Sequence, residues 1–360
     1  MLYLKDISLF QFKNYESRQW QFSESVTGIC GPNGTGKTNL LDAIYYLCFT
    51  KSYFAKQEAL TVQQGKKGMR LDGTFCINKK EFKTTAIVRE NNKKEFLLNQ
   101  ELYKKFSEHI GKFPCVMIAP DDTIIVTGLS DERRRLLDTI IAQCNTQYLE
   151  ALIQYNKLLQ QRNSLLKQIA ESPHYDIHLL EAIDTQFVYF GTLIYEIRKK
   201  FTNSFIPTIL KNYNSIAGSD DGINISYMSQ LDEMNLSELL KNTLKKDILL
   251  QRTNSGIHKD DLEITMQENN FKNRASQGQR KTLLLAIKLS EFSVLKQKKE
   301  IAPILLLDDV FEKLDEQRME QLFYKVCVLE KCQVFITDTH KERLNDYLKK
   351  LQLDFHLITL

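Results

Sequence analysis

The chain of 360 residues is 42% hydrophobic and 26% charged and has a formal net charge of +4, which fits about two globular domains and excludes a disordered chain. No apolar run reaches the length of a membrane span and the first residues lack a secretory pattern, so we expect a cytoplasmic protein without a membrane partner. The seven cysteines include no Cys-x-x-Cys pair, which argues against a disulfide or metal framework.

A glycine-rich segment lies between a predicted strand and a predicted helix. Val26–Cys30 is typical of a short buried strand, and apolar residues at 40, 41, 44, 47 and 48 predict one face of a helix that starts near Lys37. Between them, residues 31–38 (GPNGTGKT) match the phosphate-binding loop pattern at all eight positions. The alternative is a chance glycine turn before a helix.

This loop is predicted to bind the phosphates of ATP together with Mg²⁺. The glycines let backbone N–H groups point at phosphate oxygens, and the helix N-terminus adds a positive dipole end. Lys37 is expected to reach the β- and γ-phosphates and to act in catalysis, and Thr38 is expected to ligate Mg²⁺ through its hydroxyl. The predicted nucleotide-binding residues are Gly31, Pro32, Asn33, Gly34, Thr35, Gly36, Lys37, Thr38 and Asn39.

The remainder of the first 125 residues contains strand-like runs at 70–77, 82–89 and 113–119, together with recurring lysines. Charge runs are usually solvated faces, and the alternative is a surface that contacts the DNA backbone. Without a helix-turn-helix or zinc-finger signature, any DNA contact is expected to recognise backbone and shape rather than bases. The lysines are Lys66, Lys67, Lys79, Lys80, Lys93, Lys94, Lys104 and Lys105.

Residues from about 145 to 250 are predicted to be mostly helical, with two apolar seams separated by residues 172–174 (SPH). This pattern predicts an antiparallel helical hairpin with about four heptads per helix, roughly 40 Å long. An ordinary helical subdomain is favoured over an extended coiled coil. The first seam, interrupted by Arg162, is Leu152, Tyr155, Leu159, Leu166 and Ile169. The second seam is Leu180, Ile183, Phe187, Phe190, Ile194, Ile197 and Phe201.

Two further segments carry candidate nucleotide chemistry. Residues 276–279 (SQGQ) precede a helix predicted from Arg280, which indicates either a plain serine N-cap or an anion site. Ser276, Gly278 and Gln279 are surplus to the chain's own site, but they would complete the ATP site of a second copy. An apolar strand at 302–307 ends at Asp308, expected to hold Mg²⁺, and Asp309, expected to polarise the attacking water. The alternative is an ordinary strand-to-turn carboxylate pair.

The order of these segments, ending with residues 314–315 (LD), is that of an ABC-type ATPase head, and the chain resembles the bacterial RecF family. The similar segments are 12–15 (FKNY), 31–44 (GPNGTGKTNLLDAI), 119–122 (APDD), 133–138 (RRRLLD), 256–262 (GIHKDDL), 276–279 (SQGQ) and 306–309 (LLDD). The departures, which keep charge or hydrophobicity, are Lys13, Asp42, Asp121, Ile257 and Lys259. Asp121 or Asp122 stands where a Q-loop glutamine is expected, and residues 337–340 (TDTH) are candidates for a γ-phosphate sensor.

The resemblance implies an α/β fold in which an ABC-type P-loop ATPase head lobe carries an inserted, mostly helical second lobe with a short antiparallel arm. Residues 1–125 and 262–360 are expected to form the ATPase lobe, and residues 126–261 the helical lobe. ATP would close two copies into a homodimer that clamps double-stranded DNA, or a single-strand/double-strand junction, near single-strand gaps. The family also implies RecR as a partner, RecO and RecA in the same pathway, and roles in recombinational repair, replication restart and the SOS response to DNA damage.

Weak, DNA-stimulated ATP hydrolysis is the expected activity. A second possibility is an ATP-gated DNA-binding module with incidental hydrolysis, because Asp309 is one methylene shorter than the glutamate more common in ABC heads. A third, the ATPase of a transporter or a defence system, is disfavoured because the sequence shows no membrane segment and no nuclease motif.

Overall fold

The computed structural model describes residues 1–23, 25–171, 177–309, 323–350 and 352–360, and these form two compact units. Unit 1 comprises Met1–Asp122 and Leu284–Leu360, and unit 2 comprises Thr123–Leu283. The strands are β1 (Leu2–Phe12), β2 (Tyr15–Gln21), β3 (Val26–Cys30), β4 (Met69–Ile77), β5 (Lys80–Val88), β6 (Lys94–Leu98), β7 (Glu101–Leu102), β8 (Cys115–Ile118), β9 (Ile223–Met228), β10 (Asp261–Met266), β11 (Asn269–Asn270), β12 (Ile304–Leu307), β13 (Val334–Asp338) and β14 (Phe355–Thr359).

The described residues also form helices of several lengths. They are α1 (Lys37–Phe49), α2 (Ile124–Thr127), α3 (Ser130–Cys144), α4 (Thr146–Glu171), α5 (Ile177–Ala217), α6 (Leu236–Leu250), α7 (Phe271–Arg274), α8 (Gln277–Lys299) and α9 (Lys341–Lys350), with a π-helical segment at Tyr324–Leu329. Within this described part of the chain, none of the helices combines the length and the apolar character needed to cross a membrane.

Unit 1 is built on two sheets of different kinds. A five-stranded parallel sheet has the order β14-β3-β13-β12-β8, and a six-stranded antiparallel sheet has the order β2-β1-β4-β5-β6-β7. Because the strands of the first sheet are parallel, the carboxyl ends of β3, β13, β12 and β8 meet at one edge. That edge receives the phosphate loop from β3, Asp308 from β12 and the residues that follow β13 and β8.

Helix α1 belongs to the core that the two sheets share. Its buried residues occur on every side, so the predicted single apolar face is wider than expected. The reason is that the core cluster joins α1 to strands of both sheets, and a helix enclosed in this way is buried all round. The predicted strand Val26–Cys30 is confirmed, and the three predicted strand-like runs correspond to β4, β5 and β8.

Unit 2 contains the predicted antiparallel helical hairpin. Helices α4 and α5 pack with their sequences in opposite directions, since Tyr148 meets Arg198, Tyr155 meets Phe187 and Arg162 meets Asp184. Helix α4, with 26 residues, is about 40 Å long as predicted, whereas α5, with 41 residues, is about 60 Å long. Residues 172–174, predicted to separate the helices, lie outside the described residues.

Arg162, predicted as an interruption of the first seam, is itself part of the buried seam. Its guanidinium donates to Asp184 Oδ1 and to Asp247 Oδ2, both at 2.7 Å, and its side chain has no exposed surface. Tyr155, Leu166 and Ile169 of the predicted seam are buried as predicted. At the other two positions the buried residue lies one place earlier: Ala151 and Leu158 are buried, whereas Leu152 and Leu159 are half-buried. Apolar periodicity could not include a charged residue that is buried with two carboxylates.

The boundary between the units also differs from the predicted segments 1–125, 126–261 and 262–360. Residues 262–283 belong to unit 2 because β10 pairs along its whole length with β9 and only then continues to β11 and α7. The second boundary thus falls within α8, between Leu283 and Leu284. Ser276, Gly278 and Gln279 consequently lie in unit 2, whereas the phosphate loop lies in unit 1.

Candidate nucleotide-binding site

The phosphate loop connects β3 to α1 through a backbone that needs glycine at defined places. Gly34 and Gly36 have φ of +85° and +109°, which a residue with a Cβ rarely adopts. Gly31 is required for space, because a Cβ there would lie 2.9 Å from the Leu360 carbonyl oxygen and from Thr35 Oγ1. The loop and the first turn of α1 thus have the geometry in which N–H groups converge on an anion.

Lys37 lies inside the curl of this loop. Its ammonium donates to the carbonyl oxygens of Gly31 at 2.9 Å and Pro32 at 3.1 Å, and the residue is 4% exposed. These acceptors are neutral, so a phosphate oxygen offers the ammonium a stronger, charged partner in the same place. The side chain is therefore prepositioned for an anion held by the loop.

Thr38 and Asp308 bring the two predicted halves of the site together. The Thr38 hydroxyl lies 2.9 and 3.0 Å from the two carboxylate oxygens of Asp308. Burial, with a smaller contribution from neighbouring Asp309, raises the pKa of Asp308 to about 6, and a bound cation would favour its ionised form. A hydroxyl and a carboxylate supply few but hard oxygen ligands, which suits Mg²⁺ bound mainly through phosphates and water.

Thr337, on neighbouring β13, bridges both carboxylate residues. Its buried hydroxyl donates to Asp308 Oδ1 at 2.9 Å and accepts the backbone N–H of Asp309 at 2.9 Å. Asp309 has φ of +43°, an uncommon conformation for a residue with a Cβ, and the Thr337 bond fixes its backbone. The sequence predicts Thr337 only as one member of a candidate γ-phosphate sensor segment. Its contact with Asp308 and Asp309 follows from its position near the carboxyl end of β13, the strand that pairs with β12.

The other residues of that segment have different environments. Asp338 is buried and accepts from Arg343 Nε at 2.9 Å and from the His340 backbone N–H at 2.8 Å. The His340 side chain is exposed. Thr337 and Asp338 are therefore both buried and His340 is accessible, and of these residues Thr337 is the one that contacts Asp308 and Asp309.

The two candidates for the Q-loop position are separated by their burial. Asp122 is buried: it accepts the Ala119 backbone N–H at 2.9 Å and the Tyr53 hydroxyl, and it lies 3.3 Å from Lys288 Nζ. Asp121 is exposed. The Asp122 carboxylate is therefore bonded within the interior of unit 1, and Asp121 is the Q-loop candidate whose side chain is accessible to solvent.

The segment 276–279 forms a capping box at the start of α8. Ser276 Oγ accepts the Gln279 backbone N–H at 3.2 Å, and Gln279 Oε1 accepts the Ser276 backbone N–H at 2.9 Å. The helix begins at Gln277, three residues before the predicted start at Arg280, and Ser276 is exposed. The arrangement satisfies the N-cap interpretation and also presents a helix N-terminus at the surface of unit 2.

Two of the RecF-like segments contact each other within unit 2. Arg133 donates to both carboxylate oxygens of Asp261, at 2.7 and 2.8 Å. Buried Arg198 lies 2.7 Å from Asp138 and 3.0 Å from Asp260, which joins segment 133–138 to segment 256–262. These residues stabilise unit 2 as paired, hydrogen-bonded charges, and breaking such a pair is costly.

The predicted basic surface is partly neutralised. Lys66, Lys67, Lys93 and Lys94 each lie within 4 Å of a glutamate, and Lys94 also lies over the Tyr46 ring. Exposed lysines without such an ion pair among the described residues include Lys79, Lys104 and Lys105.

Comparison with known proteins places these features in a family. The RecF/RecN/SMC N-terminal domain model matches residues 3–355. The chain is 40% identical over 354 residues to the DNA replication and repair protein RecF of Parabacteroides distasonis, covering 98% of this chain and 96% of the relative. It is 37% identical over 359 residues to the RecF of Flavobacterium johnsoniae, covering all of both chains.

Solved structures agree with these relatives. The chain is similar to the recombination mediator protein RecF with ATP in the RecFOR pathway, with a TM-score of 0.87 and 30% identity over 94% of this chain and 92% of that chain. The Smc head domain of Pyrococcus furiosus, at a TM-score of 0.54 and 17% identity over 100% and 93% of the two chains, shares the fold. The ABC-type ATPase head fold expected from the sequence is thereby confirmed, and the chain belongs to the RecF family of DNA replication and repair proteins.

Proposed function

We propose that this chain binds ATP with Mg²⁺ at the phosphate loop, and that ATP closes two copies face to face on double-stranded DNA. The observation that carries the nucleotide and Mg²⁺ part of the proposal is the contact of 2.9 Å between Thr38 and Asp308, because it joins the loop to the carboxylate that follows a separate strand. The similar RecF structure with ATP supports the choice of nucleotide.

Each residue of the site has a distinct task in this proposal. The loop N–H groups of Gly31 and residues 33–36, with those of Lys37, Thr38 and Asn39 at the helix start, bind phosphate oxygens, and the Lys37 ammonium neutralises their charge. Thr38 and Asp308 hold Mg²⁺, which when bound polarises the phosphates and offsets developing negative charge. Asp309, held through Thr337, orients and polarises the attacking water.

The second copy supplies the remaining part of the site. Ser276, Gly278 and Gln279 would bind the γ-phosphate held by the partner's loop, because the α8 N-terminus offers N–H groups and a dipole to an anion. The capping box keeps this helix end formed while leaving it exposed. Dimerisation would then depend on the triphosphate.

The closed dimer would bind double-stranded DNA and single-strand/double-strand junctions near gaps. The exposed lysines Lys79, Lys104 and Lys105 are candidate contacts with the DNA backbone, so binding should weaken as salt increases. By analogy with the RecF relatives, the chain would act with RecR, and with RecO and RecA, in recombinational repair, replication restart and the SOS response. The similar RecF structure is that of a recombination mediator in the RecFOR pathway, which supports this placement.

A specific observation favours slow hydrolysis. Asp309 has a side chain one methylene shorter than glutamate on a backbone that is bonded to Thr337 at φ of +43°, so its carboxylate reaches less far towards a water than a glutamate carboxylate would. An ATP-gated module in which hydrolysis only times release is the second candidate function. Turnover measured with and without DNA separates the two: DNA stimulation supports a weak ATPase, and basal turnover unaffected by DNA supports the gated module.

The test of the proposal is sedimentation velocity of the full chain with ATP, with ADP and without nucleotide, each with and without gapped duplex DNA. Dimers should form only with ATP, and DNA should co-sediment with those dimers. The Lys37→Ala variant is the control and should remain monomeric throughout. Equal dimer fractions with ATP and ADP, or DNA binding independent of nucleotide, would contradict the proposal.

A further inference from the structure

The turn between β1 and β2 contacts the outer side of the phosphate loop. Tyr15 donates its hydroxyl to the Gly36 carbonyl oxygen at 3.0 Å, and Asn14 Nδ2 donates to the Thr35 carbonyl oxygen at 3.1 Å. Asn39 Nδ2 donates to Asn14 Oδ1 at 2.8 Å, which fixes the Asn14 amide with its N–H₂ group towards the loop. Two consecutive loop carbonyls are therefore held by side chains outside the loop.

Holding a carbonyl determines where the next N–H group points. A trans peptide is planar, so its C=O and N–H are directed to opposite sides. With the Thr35 and Gly36 carbonyls turned outwards, the N–H groups of Gly36 and Lys37 are turned to the opposite, inner side of the loop. In a phosphate-binding loop, N–H groups on this inner side donate hydrogen bonds to the phosphate oxygens of the ligand.

The turn is rigidly attached to the same helix. Lys13 has φ of +49°, and its ammonium lies 2.6 Å from Asp42 Oδ2 on α1 and over the Phe54 ring. Lys13 and Asp42, both departures from the family pattern, are thus partners of each other. A left-handed backbone at a residue with a Cβ persists only where surrounding contacts determine it.

The space between turn and loop is filled. A Cβ on Gly36 would lie 2.6 Å from Asn14 Nδ2 and 2.8 Å from the Tyr15 hydroxyl. Tyr15 is buried, which raises the pKa of its phenol, so the hydroxyl remains a donor at neutral pH. The Gly36 carbonyl also accepts the Leu40 N–H at 2.9 Å, so Tyr15 bonds the N-cap carbonyl that receives the first helical hydrogen bond of α1.

We propose that Tyr15 and Asn14 are positioning residues of the nucleotide site, which aim the Gly36 and Lys37 N–H groups at the phosphates by holding the preceding carbonyls. This inference rests on the proposed binding of ATP. Tyr15 and Asn14 would strengthen nucleotide affinity through the loop, whereas Asp308 and Asp309 would serve metal binding and hydrolysis.

The experiment measures Kd for ATP and ADP by titration calorimetry, and the turnover number at saturating ATP, for Tyr15→Phe and Asn14→Leu. Each variant should bind both nucleotides about three- to tenfold more weakly, as expected for one hydrogen bond, with little change in turnover number. Asn14 is exposed, so its variant is expected to fold even if Tyr15→Phe is unstable.

The matched control is Tyr46→Phe, which removes the hydroxyl of another buried tyrosine, one bonded to Glu58 rather than to the loop. It should leave both affinities unchanged. Wild-type affinity in Tyr15→Phe and Asn14→Leu, or an equal loss in Tyr46→Phe, would overturn this inference while Lys37→Ala still marks the nucleotide site. If the wild-type chain itself bound neither nucleotide, the proposed function would fail, and this inference with it.

Discussion

Replacement of Thr337 by valine removes one buried hydroxyl and keeps the shape of the side chain. In the structure this hydroxyl donates to Asp308 Oδ1 and accepts the Asp309 N–H, both at 2.9 Å. A hydrogen bond to a charged group contributes about 1.5–3 kcal/mol and a neutral one about 0.5–1.5 kcal/mol. If about 1–3 kcal/mol of this is lost in the transition state, the turnover number falls roughly 5- to 150-fold.

The pH dependence of ATP turnover gives a second measure of the effect of the Thr337→Val substitution. The Thr337 hydrogen bond lowers the pKa of Asp308, opposing the burial that raises it to about 6. Without the hydroxyl the pKa of Asp308 in the metal-free site rises, so protons compete more strongly with Mg²⁺ and the acidic limb of the turnover profile, measured at limiting Mg²⁺, moves to higher pH. The loss relative to wild type should therefore be greater at pH 6 than at pH 8.

The assay is steady-state ATP turnover from pH 5.5 to 9, with urea unfolding of the same preparations. Thr337→Ser is the control because it keeps the hydroxyl, and it should retain most of the activity and the wild-type profile. Equal turnover and equal pH profiles in Thr337→Val and Thr337→Ser would exclude a role of this hydroxyl in hydrolysis.

Substitutions at three further positions have defined outcomes. Lys37→Ala should abolish ATP binding, and Lys37→Arg should bind ATP without hydrolysing it because a planar fork cannot replace a point charge; unchanged turnover in either would contradict the assigned role. Asp309→Asn should retain ATP and Mg²⁺ binding but lose about 10²–10⁴-fold in turnover, whereas normal turnover would place the base elsewhere. Burial lowers the pKa of His109 to about 4, so stability should fall as pH decreases from about 6.5 towards 4, by up to roughly 3 kcal/mol. Urea unfolding of His109→Gln should show a shallower pH dependence, and an unchanged slope would exclude His109 as the cause.

The local parts of the site were predictable from sequence because each is determined by adjacent residues. The phosphate loop needs positive φ at Gly34 and Gly36, and its strand and helix follow from neighbouring apolar residues. Asp308 was identifiable because an apolar run ends at it. Thr337 was not singled out, since its role depends on β13 lying beside β12 in the sheet, which no local pattern determines.

The other differences between the predicted and the observed structure also arise from contacts between segments that are distant in the sequence. The seam of α4 includes Arg162 because Asp184 and Asp247 are brought to it by two other helices, and apolar periodicity contains no information about such partners. Residues 262–283 were predicted in the ATPase lobe, yet β10 finds its partner in β9, about 38 residues earlier in the chain. The contacts of Tyr15 and Asn14 with the loop likewise join segments 21 residues apart.

The central claim is that two copies form each nucleotide site between them, and Ser276→Arg tests it most directly. An arginine at the exposed N-cap of α8 would occupy the place of the partner's γ-phosphate without altering the chain's own loop. The measurement is sedimentation velocity with saturating ATP, with ATP affinity determined on the same preparation. We expect a monomer that binds ATP with nearly wild-type affinity and does not dimerise. Persistent ATP-dependent dimers would contradict it, as would a monomer that has lost ATP affinity, because that would place Ser276 in its own chain's site.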